Sequence, residues 1–359
     1  MSPPRVHDDP PPEVRIDQLT GLRTILAPAR AERPIEFVNE REEARSEDCP
    51  FCEGREDRTP QETWAERPGG GDADGPGWKV RAVPNLYPAV AGEPDPAATD
   101  TADEPGESGI SAADDPLRAA ARGSEPDLFR PVPATGRHEV IIHSPKHRPS
   151  LGELDDGELA AAVSAWRTRM REFSERAAYV QLIVNEGHEA GASLEHSHAQ
   201  LYALDFVPAA IARERERFTA YSERTQGGDL LGAIGAEEVR RAERLVAIDD
   251  DAMLICPWAS RSPFELRVLP RDPAPRFEEE DAGVGMLRRA LDALAARFDG
   301  VPQFNLWVVT APRGAGHFSW HLDLAPRIGI RAGFEMSTGV ELNIYPPEKA
   351  ATELREALG

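Results

Sequence analysis

The chain has 359 residues, a formal net charge of −22 and three cysteines, Cys49, Cys52 and Cys256. That length supports a large core or a double domain, and three cysteines are too few for a disulfide framework. So acidic a surface disfavours nucleic acid and anionic membranes as partners, no apolar run approaches the ~18–20 residues that span a bilayer, and the first residues lack an apolar signal core, so a reducing, cytoplasmic setting is expected.

Residues 1–12 are rich in proline and aspartate and are predicted to be disordered. Residues 91–135 hold few apolar groups and many charges, which predicts an acidic flexible insertion, and 68–77 reads as a shorter loop of the same kind. A strand–helix–strand–strand pattern then occurs twice. In the first copy a strand and turn cover 139–147. A helix carries Leu159, Val163, Trp166, Met170 and Phe173 on one stripe; strands follow at 179–184 and 196–202, joined by a glycine loop. In the second copy the strands are 264–270, 303–309 and 319–324, and Val284, Leu287, Leu291, Leu294 and Phe298 mark the helix. In this register Ser319 falls where His196 does, His321 where His198 does, and Asp323 where Gln200 does. The expected fold is α+β: two tandem repeats with mostly antiparallel sheets and packed helices, because a short loop joins the last two strands of each unit. The expected units are 13–205, with the working site, and 206–359, with a degenerate one. Basic residues are nearly all arginine, lysine occurring only as Lys79, Lys146 and Lys349. Dense carboxylate with scarce lysine fits a salty cytoplasm, where screening tames self-repulsion.

The chemistry concentrates in Asn185-Glu-Gly-His-Glu-Ala-Gly-Ala-Ser193-Leu-Glu-His196-Ser-His198-Ala-Gln200. On a strand, His196, His198 and Gln200 would share one face. The preceding glycines and Ser193 offer N–H and hydroxyl donors to a phosphate, and a neutral imidazole has a nucleophilic lone pair. Paired strand histidines also occur as surface residues or metal ligands, so the residues alone leave those readings open. His188 in the loop reads as a phosphate or structural contact. Cys49-Pro-Phe-Cys52 is a zinc half-site, a redox pair or an accident; its acidic flanks do not suggest the strand-to-helix turn of a thioredoxin-like pair. A tetrahedral zinc site needs two more ligands, for which His147 and His196, each at a strand end, are the candidates. Cys256 reads as a core thiol, and the acidic runs 249–251 and 278–281 as solvated surface.

Together these segments resemble the galactose-1-phosphate uridylyltransferase family of the histidine-triad superfamily. The resemblance also rests on Leu19-Thr-Gly-Leu-Arg with Arg30, Arg33 and Pro34, on Trp78-Lys-Val-Arg-Ala-Val-Pro-Asn85-Leu-Tyr-Pro, and on Gly333-Phe-Glu-Met-Ser-Thr-Gly339. It implies a structural zinc on Cys49, Cys52, His147 and His196, and His198 as the nucleophile that takes a nucleotidyl group. Gln200 would hold a phosphate oxygen; Asn185 and Ser193 would contact the diphosphate. Arg30, Arg33 and Asn85 would line the nucleotide side, and Phe334 and Glu335 would approach the sugar across a homodimer interface. The implied substrates are a nucleotide-sugar and a hexose 1-phosphate, with UDP-glucose and galactose 1-phosphate first. The plant-type branch, similar to ADP-glucose phosphorylases, is the alternative, and a quiet zinc-stabilised nucleotide-binding protein the non-enzyme one. The chain departs from the better-known members at Ser197, where they carry proline, and at Leu86, where they carry an acid. Their second metal site has no full ligand set here; His317, His321 and Asp323 remain.

Overall fold

A computed structural model describes residues 11–29, 48–94 and 133–359. Arg30, Arg33 and most of residues 1–12 and 91–135 lie outside the described residues; 68–77 lies within them, as a loop with turns.

In chain order the elements are β1 (Glu13–Ile16), β2 (Arg23–Leu26), β3 (Trp64–Glu66), β4 (Val80–Pro84), β5 (Gly136–Ile142), α1 (Asp156–Ser174), β6 (Tyr179–Glu186), β7 (His198–Leu204), α2 (Ala209–Thr225), α3 (Leu230–Arg241), β8 (Leu245–Ile248), β9 (Ala252–Ile255), β10 (Leu266–Pro270), α4 (Val284–Phe298), β11 (Phe304–Val309), β12 (His321–Pro326), α5 (Gly333–Thr338), β13 (Glu341–Asn343) and α6 (Pro347–Leu358). β1, β2 and β13 form a small sheet. The other ten strands form one sheet in the order β3-β4-β5-β7-β6-β11-β12-β10-β9-β8, antiparallel at every described pairing. This is the α+β, largely antiparallel architecture that the two short hairpin loops predict.

That order is a repeat folded about its own centre. Taking His198 and His321 as equivalent makes Gln200 and Asp323 equivalent, and so also their hairpin partners Ile183 and Trp307. Those two residues pair with each other across β6 and β11. A residue opposite its own counterpart marks a two-fold axis, which in that register passes between Ile183 and Trp307.

Strand alternation sorts side chains between two faces. Leu182, Val184, Ala199, Leu201, Leu306 and Val308 point to the face covered by α1 and α4, and are buried there with Leu159, Val163, Trp166, Met170, Leu287, Leu291 and Leu294. Full burial of each such side chain contributes roughly 1.5–3 kcal/mol, and both predicted helical stripes are the ones used. α1 starts sharply because Asp155 accepts from the Glu158 N–H while the Glu158 carboxylate accepts from the Asp155 N–H, a reciprocal cap worth about 1 kcal/mol. Gln181, Ile183, Asn185, Gln200, Tyr202, Asn305 and Trp307 stay half-buried on the other face. Cys256 is fully buried just after β9. One acidic run departs from expectation: Glu278 is fully buried, accepting from the Thr310 hydroxyl at 2.7 Å and from Arg276 at 2.9 Å. Its two local donors compensate the loss of water.

Candidate metal centre and nucleotidyl-transfer face

Cys49, Cys52, His147 and His196 converge, their ligand atoms lying within 4.8 Å of one another. Cys49 Sγ is 3.4 Å and Cys52 Sγ 3.8 Å from His196 Nδ1, and Cys52 Sγ is 3.6 Å from His147 Nδ1. Zinc bonds of ~2.3 Å to sulfur and ~2.0 Å to nitrogen, at tetrahedral angles, separate the ligands by about 3.5 Å, so these residues fit such an ion. His196 donates its other proton, on Nε2, to the Ser144 carbonyl at 2.9 Å. That bond fixes the tautomer with Nδ1 open toward the sulfurs, as an outer partner of a metal ligand does. Burial and the adjacent Cys49 push the Cys52 thiol up to about 11; a cation in the cluster reverses that preference. A two-sulfur, two-nitrogen set is a closed structural site.

The strand begins at His198, so His196 lies before it and turns away to the cysteines. Phe51 sits edge-on to both rings, 6.0 Å from His196 and 5.3 Å from His198. His198 donates from Nδ1 to the His196 carbonyl at 2.7 Å. Its Nε2 has no partner among the described residues. Burial lowers the imidazole pKa, against the pull of that carbonyl, so the ring is neutral with its lone pair on Nε2.

Gln200 lies two residues along the same face. Its Oε1 accepts from the Tyr202 hydroxyl and lies near His138 Nε2, each at 3.1 Å. The His138 ring stacks on Tyr202 at 3.9 Å. The Ala89 N–H donates to His138 Nδ1 at 3.3 Å, which leaves the neutral ring's proton on Nε2. The Asn85 amide nitrogen lies 3.1 Å from that same Nε2, while its oxygen accepts from the Tyr87 N–H. The one proton on His138 Nε2 therefore goes to Gln200, and the Asn85 amide nitrogen stands beside that ring without sharing it.

A second buried group holds the residue between the two histidines. Trp166 donates to His143 Nε2 at 3.0 Å, so His143 donates from Nδ1 to Ser197 Oγ at 2.9 Å, and Ser197 donates to Glu186 at 2.8 Å. Glu186 also accepts from the Ser150 hydroxyl and the Leu151 N–H, both at 2.6 Å. Burial pushes its carboxyl up to about 7 against these three donors. The serine that departs from the family pattern is thus a hydrogen-bonded node.

Among the other expected residues, Ser193 is exposed in the loop and Asn185 half-buried at the end of β6. Phe334 is exposed on α5, and the Glu335 carboxylate accepts from the Ala332 N–H. Neither touches His198 or Gln200 among the described residues. Sequence reasoning missed His138, His143, Glu186 and Asn305. His138 faces Tyr202 only because β5 pairs with β7, a strand order that residue spacing does not give.

The second copy is filled. Phe218 of α2 and Leu230 and Leu231 of α3 pack on Met253, Ile255, Leu269 and Val309, covering the face left open in the first copy. Ser319 donates to Asp229, the cap of α3, at 2.6 Å. Arg267 donates to Asp323 at 2.5 and 2.9 Å, and Arg261 at 3.0 Å. Glu214 of α2 lies 4.0 Å from His321. Among the described residues the cysteine–histidine cluster is the one group with metal-ligand spacing.

Residues 79–208 match the family described as galactose-1-phosphate uridyl transferase, N-terminal domain, and residues 150–358 a domain of unknown function, DUF4921. The chain is 28% identical to ADP-glucose phosphorylase of Arabidopsis thaliana over 96% of its own length and 93% of that protein. It is 26% identical to galactose-1-phosphate uridylyltransferase of Kluyveromyces lactis, over 96% of its own length and 86% of that one. The crystal structure of the Arabidopsis thaliana ADP-glucose phosphorylase with bound ADP-glucose superposes with a TM-score of 0.74 at 26% identity, covering 96% of this chain and 99% of that one. With its repeated sheet, its cysteine–histidine cluster and its His-Ser-His strand, the chain is similar along nearly its whole length to galactose-1-phosphate uridylyltransferases and to an ADP-glucose phosphorylase.

Proposed function

We propose that the protein moves a nucleotidyl group from a nucleotide-sugar onto His198 Nε2 and then onto a phosphate-bearing acceptor. The observation that carries this is the His198–His196 carbonyl bond at 2.7 Å, which commits Nδ1 and directs the lone pair of Nε2 outward. In the first step that lone pair attacks the α-phosphorus, an N–P bond forms, and the P–O bond to the departing sugar phosphate breaks. In the second, an acceptor phosphate oxygen attacks phosphorus and the N–P bond breaks, returning the electron pair to nitrogen. Charge on the phosphoryl oxygens is met by donors rather than by covalent help. The amide of Gln200 is one, since its oxygen is already held by Tyr202. A glutamine cannot relay a proton to water, which favours transfer over hydrolysis. Zinc on the four-residue cluster would tie the 49–52 segment to the strand and hold His196 clear of phosphorus.

The full-length similarity to an ADP-glucose phosphorylase favours adenylyl transfer from ADP-glucose, with inorganic phosphate as acceptor. Uridylyl exchange between UDP-glucose and galactose 1-phosphate is the second reading, favoured by the uridyl transferase match over 79–208. In both, units 13–205 and 206–359 form one working site per chain, and Phe334 and Glu335 serve the site of a second copy in a homodimer. Arg30 and Arg33 stay assigned to the nucleotide side. The test is incubation with each nucleotide-sugar in high salt, followed by mass analysis of the His198 peptide. An added AMP supports the first reading and UMP the second; no adduct with either overturns both.

A further inference from the structure

The degenerate half keeps two polar side chains on the site face at the seam. Asn305 of β11 stands directly opposite Asn185 of β6. Its Nδ2 donates to Asn185 Oδ1 at 2.7 Å and to the Ala190 carbonyl at 2.8 Å, so both amide hydrogens are used. Two residues earlier, Gln303 Oε1 accepts from the Glu189 N–H at 2.7 Å. Gln303 also lies where a Cβ on Gly187 would stand, at 2.3 Å, and Gly187 has φ +86°. Only glycine combines that backbone with that approach.

We propose that Asn305 and Gln303 are positioning residues: the half without a nucleophile fixes the polarity and shape of the anion loop in the half that has one. A carboxamide has an acceptor end and a donor end. With Oδ1 of Asn185 held by Asn305, its NH2 is the end left for an incoming diphosphate. Turned over, the same side chain would present an oxygen to an anion. One residue past the last β6–β7 pair, Val184 opposite Ala199, Asn185 is in register with His198, so the donor end lies beside the attacking nitrogen. Gln303 and the second Asn305 bond pin the 188–190 turn, which carries the loop N–H groups. This rests on the nucleotidyl-transfer reading.

The test is a double-mutant cycle of Asn305→Ala and Asn185→Ala, read as the rate of nucleotidyl-His198 formation, with kcat and KM measured separately. Asn305→Ala should slow the step by about tenfold or more in the wild-type background, mostly in kcat, and by less than about twofold when Asn185 is already alanine. Melting temperature should fall by a few degrees in both backgrounds, somewhat less where the Asn305–Asn185 bond is already gone. Asn305→Asp, of equal size but without donors, should be at least as slow as alanine; Gln303→Glu should keep the rate that Gln303→Ala loses. Equal factors in the two backgrounds, or a wild-type rate for Asn305→Asp, would overturn the proposal. If the wild-type chain takes no adduct, the transfer reading fails by itself. The cycle is then read from calorimetric ADP binding, where additive losses overturn the positioning role and non-additive ones support it.

Discussion

Arg267 holds Asp323 with two arms of its guanidinium, at 2.5 and 2.9 Å, on the strand where the repeat places the counterpart of Gln200. Both side chains are buried, and Arg261 adds a third donor to the same carboxylate. The position proposed to receive an anion in one half is therefore closed by an internal ion pair in the other. Removing one partner of a buried pair leaves an uncompensated charge, which costs about 3–5 kcal/mol. Asp323→Ala should lower stability by that order in chemical denaturation. Replacing Arg267 and Asp323 together by apolar residues of similar volume should cost less than Asp323→Ala alone.

Beside that pair sit two groups that are neutral at pH 7. Burial first, then Asp17 and Asp323, raise the Glu214 carboxyl to about 8, against Arg267 and Arg261. Burial and the facing arginines lower His321 to about 4, against Asp323 and Asp17. A carboxyl whose folded pKa lies above its unfolded value favours the fold below the unfolded value, near 4.5. That contribution is lost as pH rises toward 8. Glu214→Gln removes the titration, so the variant should gain on the wild type by a few kcal/mol between pH 5 and 8, then level off. Denaturation midpoints of both proteins across that range measure it; a constant gap would refute the neutral pair.

The cysteine–histidine cluster predicts about one zinc per chain by elemental analysis. Cys52→Ser should lose the metal and several kcal/mol of stability, because binding energy at such a site is folding energy. Equal zinc content and equal melting temperature in wild type and variant would remove the metal from the structure's account.

His138 predicts a separation between packing and reaction. His138→Phe keeps a ring on Tyr202, so melting should shift by only a few degrees. It loses the contact with Gln200, and nucleotidyl transfer should slow by about tenfold, a loss on the scale of one misplaced donor. His138→Asn should instead keep part of the rate and lose stability. A phenylalanine variant that reacts like wild type would confine His138 to packing.

The cysteine–histidine cluster was legible because chemistry restricts it: two cysteines three positions apart and two histidines at strand ends have few other uses. The repeat was legible because Leu159, Val163, Trp166, Met170 and Phe173 recur at helical spacing and the strands at strand spacing. What stayed hidden depends on strand order. Nothing in the spacing places His138 against Tyr202 or Asn305 against Asn185, since each pair lies across strands 64 and 120 positions apart in the chain. Glu278 was misread for a related reason: a run of carboxylates looks solvated until Thr310 and Arg276 arrive from outside it. Ser319 and Asp323 signalled degeneracy, but the helices that close that face came from a segment without a motif.

The seam where β6 meets β11 is hydrogen-bonded from Leu182 opposite Val308 to Glu186 opposite Phe304. Such a ladder cannot bend open like a hinge without breaking several bonds at once. The two halves therefore cannot close on a ligand as jaws do. A ligand bound across this seam would meet a floor that is rigid before it arrives, and little of its binding energy would go into moving one half against the other. Turnover in such an enzyme should be limited by chemistry or product departure rather than by any opening of the halves.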